Sequence, residues 1–243
     1  MILIASWALL ASDISISLDS LNPNLQDNIN GGFNESWHKA LNTIALFTKY
    51  LPKDNSFASL GCVLQPSNIF DIEDVIKFGT QISWFTSLVP AHVTEQVQPR
   101  GFQTFDQKLK FDKNHYNDIN NLIENIRKMK KNGYLLYDSD QYLDDIKRFI
   151  RDEPITWRKK NKNICDSPNL YFALLPNAEL APCCDFRINH SCAAYSDDFP
   201  EIFYSKRLRK EVKKITSACN GCMYGSYPEI SIAMRFLSAK IQR

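Results

Sequence analysis

The stretch ISISLDSLNPNLQDNINGGFNESWHKALNTI, from Ile14 to Ile44, decides how this chain folds. In DISISLDS, Asp13 to Ser20, the apolar Ile14, Ile16 and Leu18 alternate with serines, which is the period of a strand. LNPNLQDNINGG carries Pro23 and the Gly31-Gly32 pair and reads as a loop. In FNESWHKALNTIALFTKY, Phe33, Trp37, Leu41, Ile44, Leu46 and Phe47 fall at helical spacing, with Asn34 as the expected N-cap. The order is strand, loop, helix.

The unit then repeats. FASLGCVLQ, Phe57 to Gln65, predicts a buried strand, PSN a turn, and IFDIEDVIKFGT a helix with Ile72, Val75 and Ile76 inward. ISWFTSLVP, Ile82 to Pro90, predicts a third strand that stops at its proline. Successive βα units imply an α/β fold of parallel strands, either doubly wound or a partial (β/α) barrel, with ligands at the strands' C-terminal ends. After a polar, irregular stretch from Thr94 to about Asn114 come two helices. One runs through Ile119, Leu122, Ile123, Ile126 and Met129 to a stop at Gly133, and the other through Tyr142, Leu143, Ile146, Phe149 and Ile150 to Pro154. The basic stretch TWRKKNKN, Thr156 to Asn163, is the expected linker. It separates residues 1–155, the barrel-like part, from a β-hairpin and helix domain at 163–230, with a tail at 231–243.

At 243 residues, with 44% hydrophobic and 23% charged side chains, the composition is that of a globular protein. A net charge of +2 is too small to imply nucleic acid, so no nucleic-acid partner is expected. The apolar N-terminal run MILIASWALLAS is shorter than the ~18 to 20 residues of a membrane span and lacks the basic start of a secretory signal. No membrane association is expected, and the expected compartment is the reducing cytoplasm, where the seven cysteines would not form a disulfide framework.

Three of those cysteines lie in NICDSPNLYFALLPNAELAPCCDF, Asn163 to Phe186, which reads as a hairpin turning at PNAE, with Asn177 the residue suited to a left-handed conformation. Strand pairing would bring Cys165 and Cys183 to one end. CNGC, Cys219 to Cys222, is a tight knuckle whose two sulfurs can face one centre, and with the hairpin pair it makes a four-thiolate set. Such a set can hold an iron–sulfur cluster or a structural zinc ion, and disulfides or free thiols are the remaining readings. The wide spacing of the first pair favours iron over a zinc ribbon. Cys184 and Cys192 read as spare thiols, and Cys62 as core packing.

These residues resemble the radical S-adenosylmethionine (radical SAM) enzymes. ISISLDSLNPNLQDNINGG is similar to a strand of that family that ends in Ser-x-Asp, here Ser17 and Asp19, followed by a polar pair, here Gln26-Asp27. CVLQPSNIFDIEDVIKFG resembles the next strand and helix, with Asn68 at the family's asparagine. The segment from QYLDDIKRFIRDEP through Cys165, Cys183, Cys219 and Cys222 resembles the SPASM/twitch extension, in its single-cluster form. The resemblance implies an auxiliary [4Fe–4S] cluster on those four cysteines and S-adenosylmethionine contacts from Ser17, Asp19 and Asn68. It further implies oxidoreductase or modifying chemistry on a peptide, sugar or small metabolite. The family's CxxxCxxC is not found here, and the family's hairpin turn Pro-Asp-Gly is replaced by PNAE. The expectation is therefore a C-terminal portion that does not generate the radical by itself and binds S-adenosylmethionine only when the other half of the barrel is supplied. The rival is a non-enzymatic adaptor with a four-cysteine zinc site.

Two features stand apart. Of the scattered histidines His38, His92, His115 and His190, His92, just after Pro90, is the one to test. SKRLRKEVKKI, Ser205 to Ile215, predicts an amphipathic helix with Leu208, Val212 and Ile215 inward and Lys206, Arg207, Lys210, Lys213 and Lys214 outward, a basic face that is ordinarily just solvated but could also offset the charge of a thiolate cluster or contact an acidic peptide or a redox partner.

Overall fold

The computed structural model describes residues 13–52, 56–91, 109–157, 165, 168, 172–183, 186–219, 221–224, 228–229 and 231–232. The chain divides into two units, one of Met1–Ala91 with Gln107–Arg151, the other of His92–Asp106 with Asp152–Arg243.

The first unit is a parallel sheet with helices. Strands β1 (Asp13–Ser17), β2 (Phe57–Leu64) and β3 (Phe85–Pro90) lie in that order, with Ser17 beside Gly61 and Gly61 beside Ser87. A parallel bridge from Thr86 to Leu136 adds a further position beyond β3, so each later segment joins the same edge. The middle strand β2 is flanked on both sides, and its Ala58, Ser59, Leu60, Cys62 and Leu64 are buried, which is why FASLGCVL reads as a nearly continuous apolar run. The fold is mixed α/β, as the alternating sequence pattern implies.

The segment read as a loop after β1 contains a helix, α1 (Pro23–Ile29). Asn22 caps it, its Oδ1 accepting from Asn24 N at 3.0 Å and Leu25 N at 3.3 Å, and Pro23 takes the first turn, where its missing N–H costs nothing. Helix α2 (Ser36–Tyr50) follows. Asn34 does not cap it. The carboxylate of Asp27 accepts from Glu35 N at 2.9 Å, Ser36 Oγ at 2.6 Å and Trp37 N at 3.0 Å, so the cap comes from α1. Phe33 is 75% exposed and lies outside the inward stripe of α2.

Helices α3 (Ile72–Gln81), α4 (Tyr116–Lys131) and α5 (Asp140–Ile150) bury the faces their periodicity indicates. Ile72, Val75, Ile76 and Gly79 face inward on α3, and Ile119, Leu122, Ile123 and Ile126 on α4. Gly79 lies so close to the sheet that a Cβ there would stand 2.8 Å from Thr86 Oγ1. Gly133 follows α4 at φ 90°, the left-handed stop that a glycine supplies.

In the second unit, β4 (Ala173–Leu174) pairs antiparallel with β5 (Leu180–Ala181), Leu174 opposite Leu180. The left-handed residue of the turn is Ala178, at φ 59°, not Asn177. Asn177 instead closes an Asx turn, its Oδ1 accepting from Glu179 N at 3.2 Å, which passes the positive φ to the next residue. A third segment runs alongside, with Leu180 N donating to Cys192 O at 3.0 Å and Ala194 N to Ala178 O at 2.9 Å. Helices α6 (Phe199–Tyr204) and α7 (Lys206–Ala218) complete the unit, α7 capped by Ser205 Oγ, which accepts from Leu208 N at 3.1 Å. Cys192, Leu208 and Val212 form its core with Phe172, Leu180 and Phe203. Thr216, not Ile215, is the last buried position of α7, and Ile215 is half-buried.

Candidate functional site

Helix α7 ends at Ala218 and delivers Cys219 at its C-cap. Gly221, at φ 100°, then reverses the chain so that its N–H donates to Cys219 Sγ at 3.3 Å. Tyr224 gives a backbone N–H to the Cys222 sulfur. Each sulfur of the knuckle thus accepts a main-chain hydrogen bond, an interaction that favours the thiolate and tunes thiolate-held metals. The carbonyl of Cys222 is fixed in turn by the indole of fully buried Trp157, whose Nε1 donates to it at 2.8 Å.

Cys183 follows β5 and Pro182, and all four expected cysteines, Cys165, Cys183, Cys219 and Cys222, line one cavity of about 30 Å³. Trp157, Pro168, Phe186 and Ile215 supply its apolar wall. Cys165, Cys183, Cys219 and Cys222 form no disulfide, nor do Cys62 and Cys192. Burial pushes the Cys222 thiol well up, the Tyr224 N–H pulls it back, and neighbouring Cys219, Cys165 and Cys183 push it further. A cation held in the cavity would reverse that balance, because it would pair with thiolates that otherwise repel one another. Among the described residues no three His, Cys, Asp or Glu side chains form a group suited to a single metal ion.

The other expected residues lie at the C-terminal ends of the strands in the first unit. Asp19, 3% exposed, accepts from Val63 N at 2.6 Å and from Gln26 Nε2 at 3.4 Å, while Gln26 Oε1 accepts from Asp19 N and Ser20 N at 2.8 and 3.0 Å. Asn68, fully buried, donates both amide hydrogens, to Asp19 O at 2.9 Å and Val63 O at 2.8 Å, and accepts from Gln65 N at 3.0 Å. The structure therefore brings Asp19, Asn68 and Gln26 together as a brace between the ends of β1 and β2, with Ser17 exposed on β1. Burial raises the Asp19 carboxyl, and the bonds from Val63 and Gln26 offset part of that. Asp27, the second member of the Gln26-Asp27 pair, serves as the cap of α2, and its hydrogen bonds from Ser36 and Trp37 hold its carboxyl low.

A matching brace at β3 was not anticipated. Asp138, fully buried, accepts from Ser87 Oγ at 2.8 Å and Leu88 N at 2.7 Å, and Tyr142 Oη donates to Leu88 O at 2.9 Å. Asp19-Ser20 and Asp138-Ser139 are the same dipeptide at equivalent strand ends, and that repetition is the signal in the sequence that could have found it. Cys62 is core packing as expected, with its buried Sγ 3.8 Å from Asp19 O. Cys192 is core as well, whereas Cys184 and His92 lie outside the described residues.

A parallel α/β unit with braced strand ends, followed by a small unit with four thiols on one cavity, defines the class: a mixed α/β protein with a thiol-lined centre. Among solved structures the chain is similar to SuiB of Streptococcus suis, with a TM-score of 0.55 and 14% identity over 89% of this chain and 53% of that one. The likeness is one of fold, and the chain spans about half the length of that protein. No protein-family model matches the chain, and no curated protein matches it in sequence. No helix among the described residues is long and apolar enough to cross a membrane.

Proposed function

We propose that this chain is the cluster-binding portion of a radical SAM-type oxidoreductase or modifying enzyme, with Cys165, Cys183, Cys219 and Cys222 holding an auxiliary [4Fe–4S] cluster. The observation that carries the reading is the single cavity lined by those four thiols. SuiB, whose fold the chain shares in part, is a radical SAM enzyme. Iron is preferred to zinc on spacing, because zinc ribbons supply two Cys-x-x-Cys knuckles, whereas here Cys165 and Cys183 are separated by a whole hairpin.

When bound, such a cluster supplies electron transfer or anchors a substrate. The chain's own residues do the rest. Gly221 and Tyr224 give N–H bonds to the knuckle sulfurs, and Trp157, Phe186 and Ile215 keep water from the cavity. Asp19 and Asn68 hold the ends of β1 and β2, where parallel α/β folds bind their ligands, and with Ser17 they would meet S-adenosylmethionine once the first unit is completed into a barrel. The substrate class is a peptide, sugar or small metabolite, and free thiols fit a cytoplasmic site of action.

Anaerobic reconstitution with iron and sulfide tests this. The expected product is brown, with a broad visible absorption and about four irons per chain. Cys222→Ser should lose both, and Cys62→Ala should keep both. A colourless protein with one tightly held zinc would replace the reading with a structural-zinc adaptor.

A further inference from the structure

Helix α7 carries six of the chain's basic residues, Lys206, Arg207, Arg209, Lys210, Lys213 and Lys214, and one acid, Glu211. That is +5 on one helix in a chain of net +2, so the remaining residues sum to 2 − 5 = −3. The charge is segregated. Glu211, the one acid on the helix, accepts from Asn189 N at 2.5 Å and sits 2.7 Å from His190 Nδ1. The basic side chains are all exposed, while Leu208, Val212 and Thr216 on the opposite face are buried. Arg209 lies over the Phe203 ring, and the other cations make no ion pair among the described residues.

The same helix is a wall of the thiol cavity, to which it gives Ile215 and Thr216 before ending at Cys219. At 1.5 Å per residue, Lys213 and Lys214 stand about 8 Å along the axis from Cys219. Tyr204, 77% exposed, marks the start of the basic stripe and is of the residue type that anchors protein interfaces.

We infer that this face of α7 docks an acidic one-electron carrier protein beside the thiol-lined centre. The inference rests on the proposed cluster and adds the surface through which it is served. Complementary charge would steer the encounter and fix the register. On docking, the reduced carrier gives up one electron and is oxidised, the centre is reduced by that electron, and no bond is made or broken. A protein carrier is favoured over nucleic acid because the basic face adjoins the thiol cavity that such a carrier would serve, and because the exposed face of α7 itself carries no aromatic side chain for bases to stack on. It is favoured over a membrane because that face has no large apolar residue to insert.

The test is calorimetric binding of a plant-type [2Fe–2S] ferredoxin to the full chain at low and high salt. Lys213→Glu with Lys214→Glu should weaken binding about tenfold, and added salt should weaken the unmodified chain similarly. Lys128→Glu with Lys131→Glu, an equal charge change at exposed positions of α4, should leave it unaltered. No binding, or equal losses in both variants, overturns the inference. So does tighter binding of single-stranded RNA or anionic vesicles through the same two lysines. Iron content measured on the same samples reports on the cluster separately, so a failure of docking and a failure of iron loading remain distinct results.

Discussion

Replacing Gly79 by alanine puts the packing of α3 on the sheet to a quantitative test. In isolation the change favours the helix by about 1 kcal/mol, since alanine is the best helix former and glycine among the worst. Here the new Cβ would meet Thr86 Oγ1 at 2.8 Å, Trp84 O at 3.1 Å and Leu60 Cδ1 at 3.2 Å. The first contact is too short to stand. Thr86 cannot swing aside, because it is β-branched, fully buried and fixed by main-chain bonds to Leu135 and Tyr137 on its far side. The second involves a carbonyl of the strand approach itself. Overpacking of this kind costs about 1 to 3 kcal/mol, so a net loss of about 1 to 2 kcal/mol is expected after the helical gain. With a urea slope of about 2 kcal/mol per molar, the unfolding midpoint followed by far-ultraviolet circular dichroism should fall by about 0.5 to 1 M. Combining Gly79→Ala with Thr86→Ala removes the shortest contact, and in that background the cost of the glycine change should shrink to a few tenths of a kcal/mol. A Gly79→Ala protein as stable as the parent, or a cost that persists unchanged without the threonine hydroxyl, would refute the close-packing account.

Two further outcomes follow from the backbone and from the buried brace. Ala178→Gly relieves a left-handed alanine in the hairpin and should raise stability by about 0.5 to 1 kcal/mol, seen as a melting temperature higher by about 1 to 4 °C; an unchanged or lower one would remove the strain. Asp19 has its carboxyl raised by burial, so its proton leaves the unfolded chain first. Its contribution is therefore most favourable below the ordinary aspartate value and declines as pH rises toward the folded one. Asp19→Asn does not titrate, and its stability relative to the parent should improve with rising pH across the acid range, measured by urea midpoints from about pH 3.5 to 7. A difference that stays flat with pH would mean that burial does not perturb this carboxyl.

The strands and long helices were legible in the sequence because each buries one side or both, and burial writes a period of two or of 3.6. Helix α1 was not, although Asn22 and Pro23 are a cap and a first-turn proline; seven residues are too few to show a period, and the proline and glycines read as a loop. Asn34 looked like the cap of α2 by position, but the carboxylate that does the work comes from Asp27 on the preceding helix. Likewise Asn177 has the left-handed tolerance, yet its side chain closes a local turn and hands that conformation to Ala178.

By itself the amino-acid order determined the alternation of strand and helix, the hairpin and the two-residue spacing of Cys219 and Cys222, because these rest on periodicity and on contacts within a few residues. Only the tertiary structure decided that Cys165 and Cys183 share a cavity with that knuckle, and that Asp19, Gln26 and Asn68 spend their hydrogen bonds on one another. Such meetings depend on the summed packing of segments far apart in the chain, and no local pattern records where a folded backbone will bring them.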